Sequence, residues 1–474
     1  MQDDVSAPSP FLKSLGPLGI MLLTLSALSP VASVYISGND ILHIAGTGAA
    51  LAFIVGGLIA AALAVLYAEL GAAFPGAGGV YPTIAGALGP GWAFPMLILA
   101  ALLSPASVAF TAVGLADYVQ VLVPSAPFLP IAFGSIALAT IIAIANIRTG
   151  AWVTGVFLAI ELVALALLAG VAALHPSRSL VEVLTHPMVL NSGVLKPTSL
   201  ATMALAAVAG AWTCAGASWA MYFAEEMKEA RRGIGRVIAW AGLIASLTIA
   251  IPVVLVVISA SDLKGVLGSP APFATFLART GGPVIGVLVS LGVIAAIFNN
   301  MIAVSLGLSR LLYASGRDRV WPGPVNRFLM IMHPRWRSPI AATVLLGVLG
   351  AAACLAGERA LIIILSGEVF STLLISLAVL AGRRSGRVGE FFRSPLFPLF
   401  PLFGLVVWGA SVAADYFDAA AGRPSMILLS AVFLGALLYY VLKLRHADGG
   451  WRVHVLEAAE ADPLAQGSEG EMHD

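Results

Sequence analysis

Glu161, an ionisable side chain inside a long apolar run, is one of the few residues in this sequence placed to do chemistry. It lies eleven residues after Gly150 in the run 150–174, about 16 Å along a helix at 1.5 Å per residue. In a bilayer that depth is near the centre, where an ionisable group costs at least ~2.5 kcal/mol, so it faces the protein interior and has a task. Desolvation disfavours an ionised carboxylate, and proton transfer is the chemistry expected of Glu161. The plainer alternative is a structural glutamate bonded to a neighbouring helix. A second candidate is Leu25-Ser26-Ala27-Leu28-Ser29-Pro30-Val31-Ala32-Ser33, where Pro30 removes a backbone hydrogen bond in mid-run and crowds the preceding turn. A third is the small-residue stretch Ala209 to Trp219, interrupted by Trp212 and Trp219; small residues alone point to close helix packing. Glu368 in the run 360–382, and Asn299, Asn300 and Ser305 in the run 282–315, complete the polar groups at depth.

Other chemistries lack their residues. The two cysteines, Cys214 and Cys354, stand alone in apolar stretches, and most of the seven histidines fall in loops or tails. No disulfide framework, metal site, cofactor motif or enzymatic constellation is written here. A net charge of +1 gives no sign of nucleic-acid binding.

The elements that must position these groups are membrane helices. Charged residues make up 10% of the 474 residues and AVILMFWYC residues 59%, with a mean hydropathy of +0.98, whereas globular chains average about 25% charged. Spanning helices need roughly 20 apolar residues. Apolar runs predict twelve, at 16–37, 47–71, 90–122, 127–147, 150–174, 200–224, 235–260, 282–315, 339–356, 360–382, 397–416 and 425–443. With both termini on one side, nineteen of the twenty-five Lys and Arg residues fall on that side, which predicts cytoplasmic termini in the cell (plasma or inner) membrane. Residues 1–14 read as a cytoplasmic lead segment with no basic start typical of a cleaved signal. Residues 447–474 read as an acidic, disordered tail. The suspect runs are the first and sixth, equivalent members of two five-helix halves at about 15–175 and 200–383. Interruptions at corresponding places in an inverted repeat point to a transporter's substrate site.

The chain resembles the amino acid/polyamine/organocation (APC) superfamily of permeases. The likeness follows the second run at Ala68-Glu69-Leu70 through Phe74-Pro75, Gly78-Gly79-Val80-Tyr81 and Leu88-Gly89-Pro90. It continues at Ala224-Glu225-Glu226-Met227-Lys228 with Arg232, then at Arg310-Leu311-Leu312-Tyr313-Ala314 with Arg317-Asp318 and Pro322, and at Ser338-Pro339. In this order, over about 15–390, these motifs are specific. The resemblance implies an all-α, LeuT-like fold of five plus five inverted helices, helices 1 and 6 discontinuous, with two helices appended (397–443). It also implies alternating access and no enzymatic activity.

The implied substrate is a small zwitterion, an amino acid, moved by proton coupling or exchange, with H+ or Na+ as partner ion. A half-helix amino end offers N–H groups to its carboxylate and half-helix carboxyl ends offer carbonyls to its ammonium. That places the carboxylate at Val31, Ala32 and Ser33, and the ammonium at Leu28, Ser29, Trp212, Thr213 and Cys214, with Gly216 and Ser218 completing the site. Ser218 stands where many relatives carry an acid, which favours a neutral amino acid over the runner-up, a polyamine or other organic amine. Trp212 falls where some relatives place an aromatic lid, and Glu368 is the candidate outer gate. The charged motif residues Glu69, Glu225, Glu226, Arg310 and Arg317 are expected in inner-gate or loop-fixing ion pairs. Nothing in the sequence selects an oligomeric state.

Overall fold

The computed structural model describes residues 10–145, 147–366, 369–446 and 451–455. Helix α1 (Pro17–Leu28) ends at Ser29 and α2 (Pro30–Ala32) begins at once; a π turn (Ser33–Ser37) and α3 (Gly38–Ala45) continue it. Then come α4 (Ala49–Ala73), α5 (Tyr81–Leu88), α6 (Pro90–Leu122), α7 (Phe128–Ile144), α8 (Ile147–Leu174) and α9 (Leu180–Thr185). After a hairpin, the chain forms α10 (Leu200–Cys214), a 3-10 helix (Ala217–Glu226), α11 (Ala230–Ser259), α12 (Leu263–Leu267), α13 (Pro272–Thr280) and α14 (Pro283–Arg317). The rest is α15 (Gly323–Leu329), α16 (Ile340–Ala353), α17 (Glu358–Leu365), α18 (Val369–Arg384), α19 (Leu399–Phe417) and α20 (Gly422–Leu442). Proline recurs at helix starts (Pro17, Pro30, Pro90, Pro283), where its missing N–H costs nothing.

Among the described residues, eight helical runs are long and apolar enough to cross a membrane, nine if α16 and α17, which meet at 118°, count as one. The run Pro17–Ala73 is 57 residues, long enough for two crossings at about 20 residues each. The end of the bundle where residue 10 enters is called proximal below, the opposite end distal.

Three features depart from the sequence reading. The fold is not purely helical: Met188–Asn191 (β1) pairs antiparallel with Val194–Pro197 (β2). Ser192 and Gly193 both take positive φ, 51° and 76°, the primed two-residue turn that suits hairpin twist. The first run also stays helical beyond 37 to Ala45, because its polar residues Asn39 and Asp40 face a cavity instead of ending the helix. The run 360–382 is divided between α17 and α18, and Glu368 lies outside the described residues.

Small residues set the helix spacing. A Cβ on Gly56 of α4 would stand 2.5 Å from the backbone of Gly210–Ala211 in α10, so that pair touches main chain to main chain, as small-residue stripes in membranes allow. On the same helix Gly57 meets Ser246, and Gly242 of α11 meets Ala64.

Candidate functional site

Two backbone interruptions lie near mid-bundle. Ser29 takes φ 48°, a left-handed value unusual for serine, and its amide still closes α1 on Leu25 while Pro30 starts the next helix. Gly216 takes φ 133°, open to glycine, and separates α10 from the 3-10 helix.

The first interruption is occupied from within the protein. Glu161 of α8, fully buried, accepts hydrogen bonds from Ser29 Oγ at 3.1 Å and from Asn299 Nδ2 of α14 at 2.8 Å. The Val31 amide supplies a third. A carboxylate thus sits at the positive end of the half-helix that starts at Pro30, tying together α1, α8 and α14. Asn299 is also fully buried, with its Oδ1 unpartnered. One helical position on, Asn300 donates to the Ala27 carbonyl at 2.6 Å.

A cavity of about 590 Å³ begins at this interruption, with Leu28, Ala32, Ser33, Asn300, Trp212 and Trp219 in its wall, and extends distally to the exposed carboxylates of Asp40, Asp117 and Glu358. A smaller cavity of about 150 Å³ lies behind the second interruption, among Cys214, Gly216, Ser218, Tyr67 and Trp408. Trp212 borders both and stands edge-on to Trp408 at 5.8 Å.

The proximal end is closed by ion pairs. Arg310 grips Glu226 through Nε (2.7 Å) and Nη2 (2.9 Å), both side chains buried, with Phe11 and Phe223 over its guanidinium. Arg317 binds Glu225 at 2.9 Å and Asp318 at 3.3 Å. Tyr81 donates to Asp318 at 2.7 Å, and the Ala77 amide to Glu225 at 2.8 Å. Glu69 pairs with Arg383 and takes the Ser394 amide at 3.0 Å. The entering chain is laid across this end, Ser14 and Leu15 donating to the Glu226 carbonyl at 3.0 Å.

A family profile described as Amino acid permease matches residues 15–440. The chain belongs to the amino acid permease family. It is a multi-pass membrane transporter, not an enzyme. This permease is 27% identical over 359 residues to an uncharacterized transporter of Mycobacterium tuberculosis, covering 74% of this chain and 75% of that one. It is 24% identical over 427 residues to a branched-chain amino acid permease of Lactococcus lactis, covering 80% and 86%. Its fold is that of a manganese transporter of Eremococcus coleocola, crystallised as a mutant, at TM-score 0.54 and 12% identity over 90% and 94% of the two chains.

Within this permease the predicted site residues separate. Leu28, Ala32, Ser33 and Trp212 border the large cavity. Cys214, Gly216 and Ser218 border the small one, and Thr213 faces a third, beside α19. Ser29 and Val31 are buried behind the wall and bonded to Glu161. Several groups assigned to a ligand already have partners: the Val31 amide holds Glu161, the Ser33 amide holds the Ser29 carbonyl, and the Trp212 carbonyl holds the Ala215 amide. Asp117, near the distal end of α6, lies on the cavity wall. Sequence reasoning missed Tyr35, Asp40, Tyr118 and Glu358 on the same wall; only the acidic signs were visible, because their convergence joins α3, α6 and α17.

Proposed function

We propose that the chain is a secondary active permease that moves a neutral amino acid across the cell membrane by alternating access, coupled to protons through Glu161. The observation that carries this reading is the fully buried Glu161 carboxylate, bonded to Ser29, Val31 and Asn299 at the interruption of the first helix. The architecture proposed is LeuT-like, with twelve crossings, repeats at about 15–175 and 200–383, and helices 1 and 6 broken at Ser29 and at Ala215–Gly216. Arginine-rich proximal loops support a cytoplasmic proximal end, with the Glu225, Glu226 and Glu69 ion pairs as the closed inner gate. Trp212 is the lid and Glu368 an outer gate.

Ionised, Glu161 holds the helix end that a substrate carboxylate needs; two anions there repel. Taking up a proton removes that charge and loosens the bonds from Ser29 and Val31. A turned Asn299 amide can then accept the new O–H through Oδ1, since one face of the amide donates and the other accepts. Proton and substrate carboxylate therefore bind together more readily than apart, and KM falls as pH falls. The substrate ammonium meets the carbonyls near Leu28 and Thr213–Cys214.

Glu161→Gln in proteoliposomes tests this. Uptake driven by a pH gradient is lost, while exchange between equal substrate pools persists; undiminished pH-driven uptake sinks the coupling role. The Lactococcus relative makes branched-chain amino acids the first substrates to try. The acids of the large cavity favour a second reading, an organic amine permease, and Ser218 speaks against it. In a thermal-shift panel, stabilisation by amines but by no amino acid would select that reading.

A further inference from the structure

Residues 451–455 fall in the stretch that the sequence reading took for a disordered tail, yet they pack on the proximal end. Trp451 is 7% and His454 4% exposed. The Trp451 ring stands edge-on to Phe94 of α6 at 5.3 Å and to Tyr440 of α20 at 6.5 Å. Its Nε1 donates to the Asp318 carbonyl at 2.7 Å. The His454 amide donates to Asp318 Oδ1 at 3.4 Å, and the His454 carbonyl lies over Gly76, 3.6 Å from where a Cβ would stand. A buried tryptophan supplies enough apolar area to seat a short segment that forms neither helix nor strand. The acids that gave the tail its solvated look begin only at Glu457.

These contacts fall on the two groups that hold Glu225. One is the turn after α4, whose Ala77 amide donates to Glu225. The other is the end of α14, where Arg317 pairs with both Glu225 and Asp318. Glu225 is held from both sides only while turn and helix end keep their spacing, and the segment touches both. Partners fixed in advance lose less freedom when a contact forms. We propose that residues 451–455 are a strap that locks the proximal end closed, with Trp451 and His454 fixing the Gly76 turn against the end of α14. The strap rests on the reading of the Glu225 pairs as a closed inner gate. Because its contacts exist only in the closed arrangement, removing them shifts the balance toward the open one.

The test follows N-ethylmaleimide labelling of Cys214, 1% exposed, in the full-length chain carrying Cys354→Ala, in nanodiscs without substrate. A chain ending at His446 and the point variant Trp451→Ala each label about threefold faster than the parent or more. A chain ending at Val455, which keeps the strap, labels at the parent's rate. In a Cys214→Ala background, Cys354, buried on the distal side, labels at one rate in all of them. Equal Cys214 rates in the parent, the chain ending at His446 and Trp451→Ala overturn the strap. So does equal acceleration in the chain ending at Val455, or acceleration at Cys354, which reports general loosening. Labelling needs no uptake, so the two readings fail separately. Faster labelling in a protein that accumulates no substrate sinks the transport reading and leaves the strap, and equal labelling in one that does accumulate substrate does the reverse.

Discussion

The two ends of this bundle treat charge in opposite ways. At the proximal end every motif carboxylate has met a guanidinium: Glu226 with Arg310, Glu225 with Arg317, Glu69 with Arg383. At the distal end Asp40, Asp117 and Glu358 share a cavity wall that, among the described residues, carries no base. Opposite charges in contact pull helices together and exclude water, whereas unpaired like charges stay where water can solvate them. The fold is therefore closed at one end and open at the other, with the Glu161 cluster at the boundary.

Breaking the proximal end has the largest expected effect. Arg310→Met leaves Glu226 buried and unpaired, which costs about 3–5 kcal/mol, read as a lower unfolding midpoint. Adding Glu226→Met should recover most of it, since replacing both partners of a buried pair by apolar groups is often neutral. Full additivity of the two losses would show that the pair does not act as a unit.

At the boundary, Ser29→Ala removes a hydrogen bond to a buried carboxylate, worth about 1.5–3 kcal/mol. Because Asn299 and Val31 still hold Glu161, a loss near the lower figure is expected in chemical unfolding, along with altered pH dependence of KM. An unchanged pH profile would disconnect Ser29 from the coupling.

The openness of each end can be read from Cys214, which is 1% exposed beside the second interruption. In a Cys354→Ala background, N-ethylmaleimide should label Cys214 at least tenfold faster once Glu225→Gln weakens the Arg317 pair. Equal rates would mean that the remaining pairs keep the proximal end shut.

The smallest effect belongs to Asp418, in the exposed distal turn between α19 and α20. The backbone amides of Gly422, Ala420 and Ala421 hold its carboxyl below the usual carboxylate range. A lowered pKa in the fold means the stabilisation is present above the ordinary value, about 3.9, and fades as pH falls through the lowered one. Asp418→Asn should lower the unfolding midpoint slightly at pH 7, and the difference from the parent should vanish in strong acid.

Much of this was legible in the sequence. Pro30 after Ser29 marked the first interruption, because proline cannot donate; for the second the sequence offered only the small-residue stretch Ala209 to Trp219, within which Gly216 takes φ 133°, a value glycine tolerates cheaply. The burial of Glu161 in the protein interior followed from its place inside a long apolar run. The motif acids and arginines were correctly expected to pair at helix ends, yet which acid meets which base was not readable. Glu226 and Arg310 are 84 residues apart, Glu69 and Arg383 314, and periodicity carries no information on partners at such separations.

What the sequence alone determined is the membrane setting, the permease family and the positions where regular helix must fail, since hydropathy, motif order and backbone chemistry are local properties. Tertiary structure decided what fills those places. It put Glu161 on the helix end that a substrate carboxylate was expected to use, 132 residues from Ser29. It divided the expected site among three cavities that all border Trp212, and set three acids from three helices along one wall. Each is a convergence of side chains from elements far apart in the chain, and only packing fixes it.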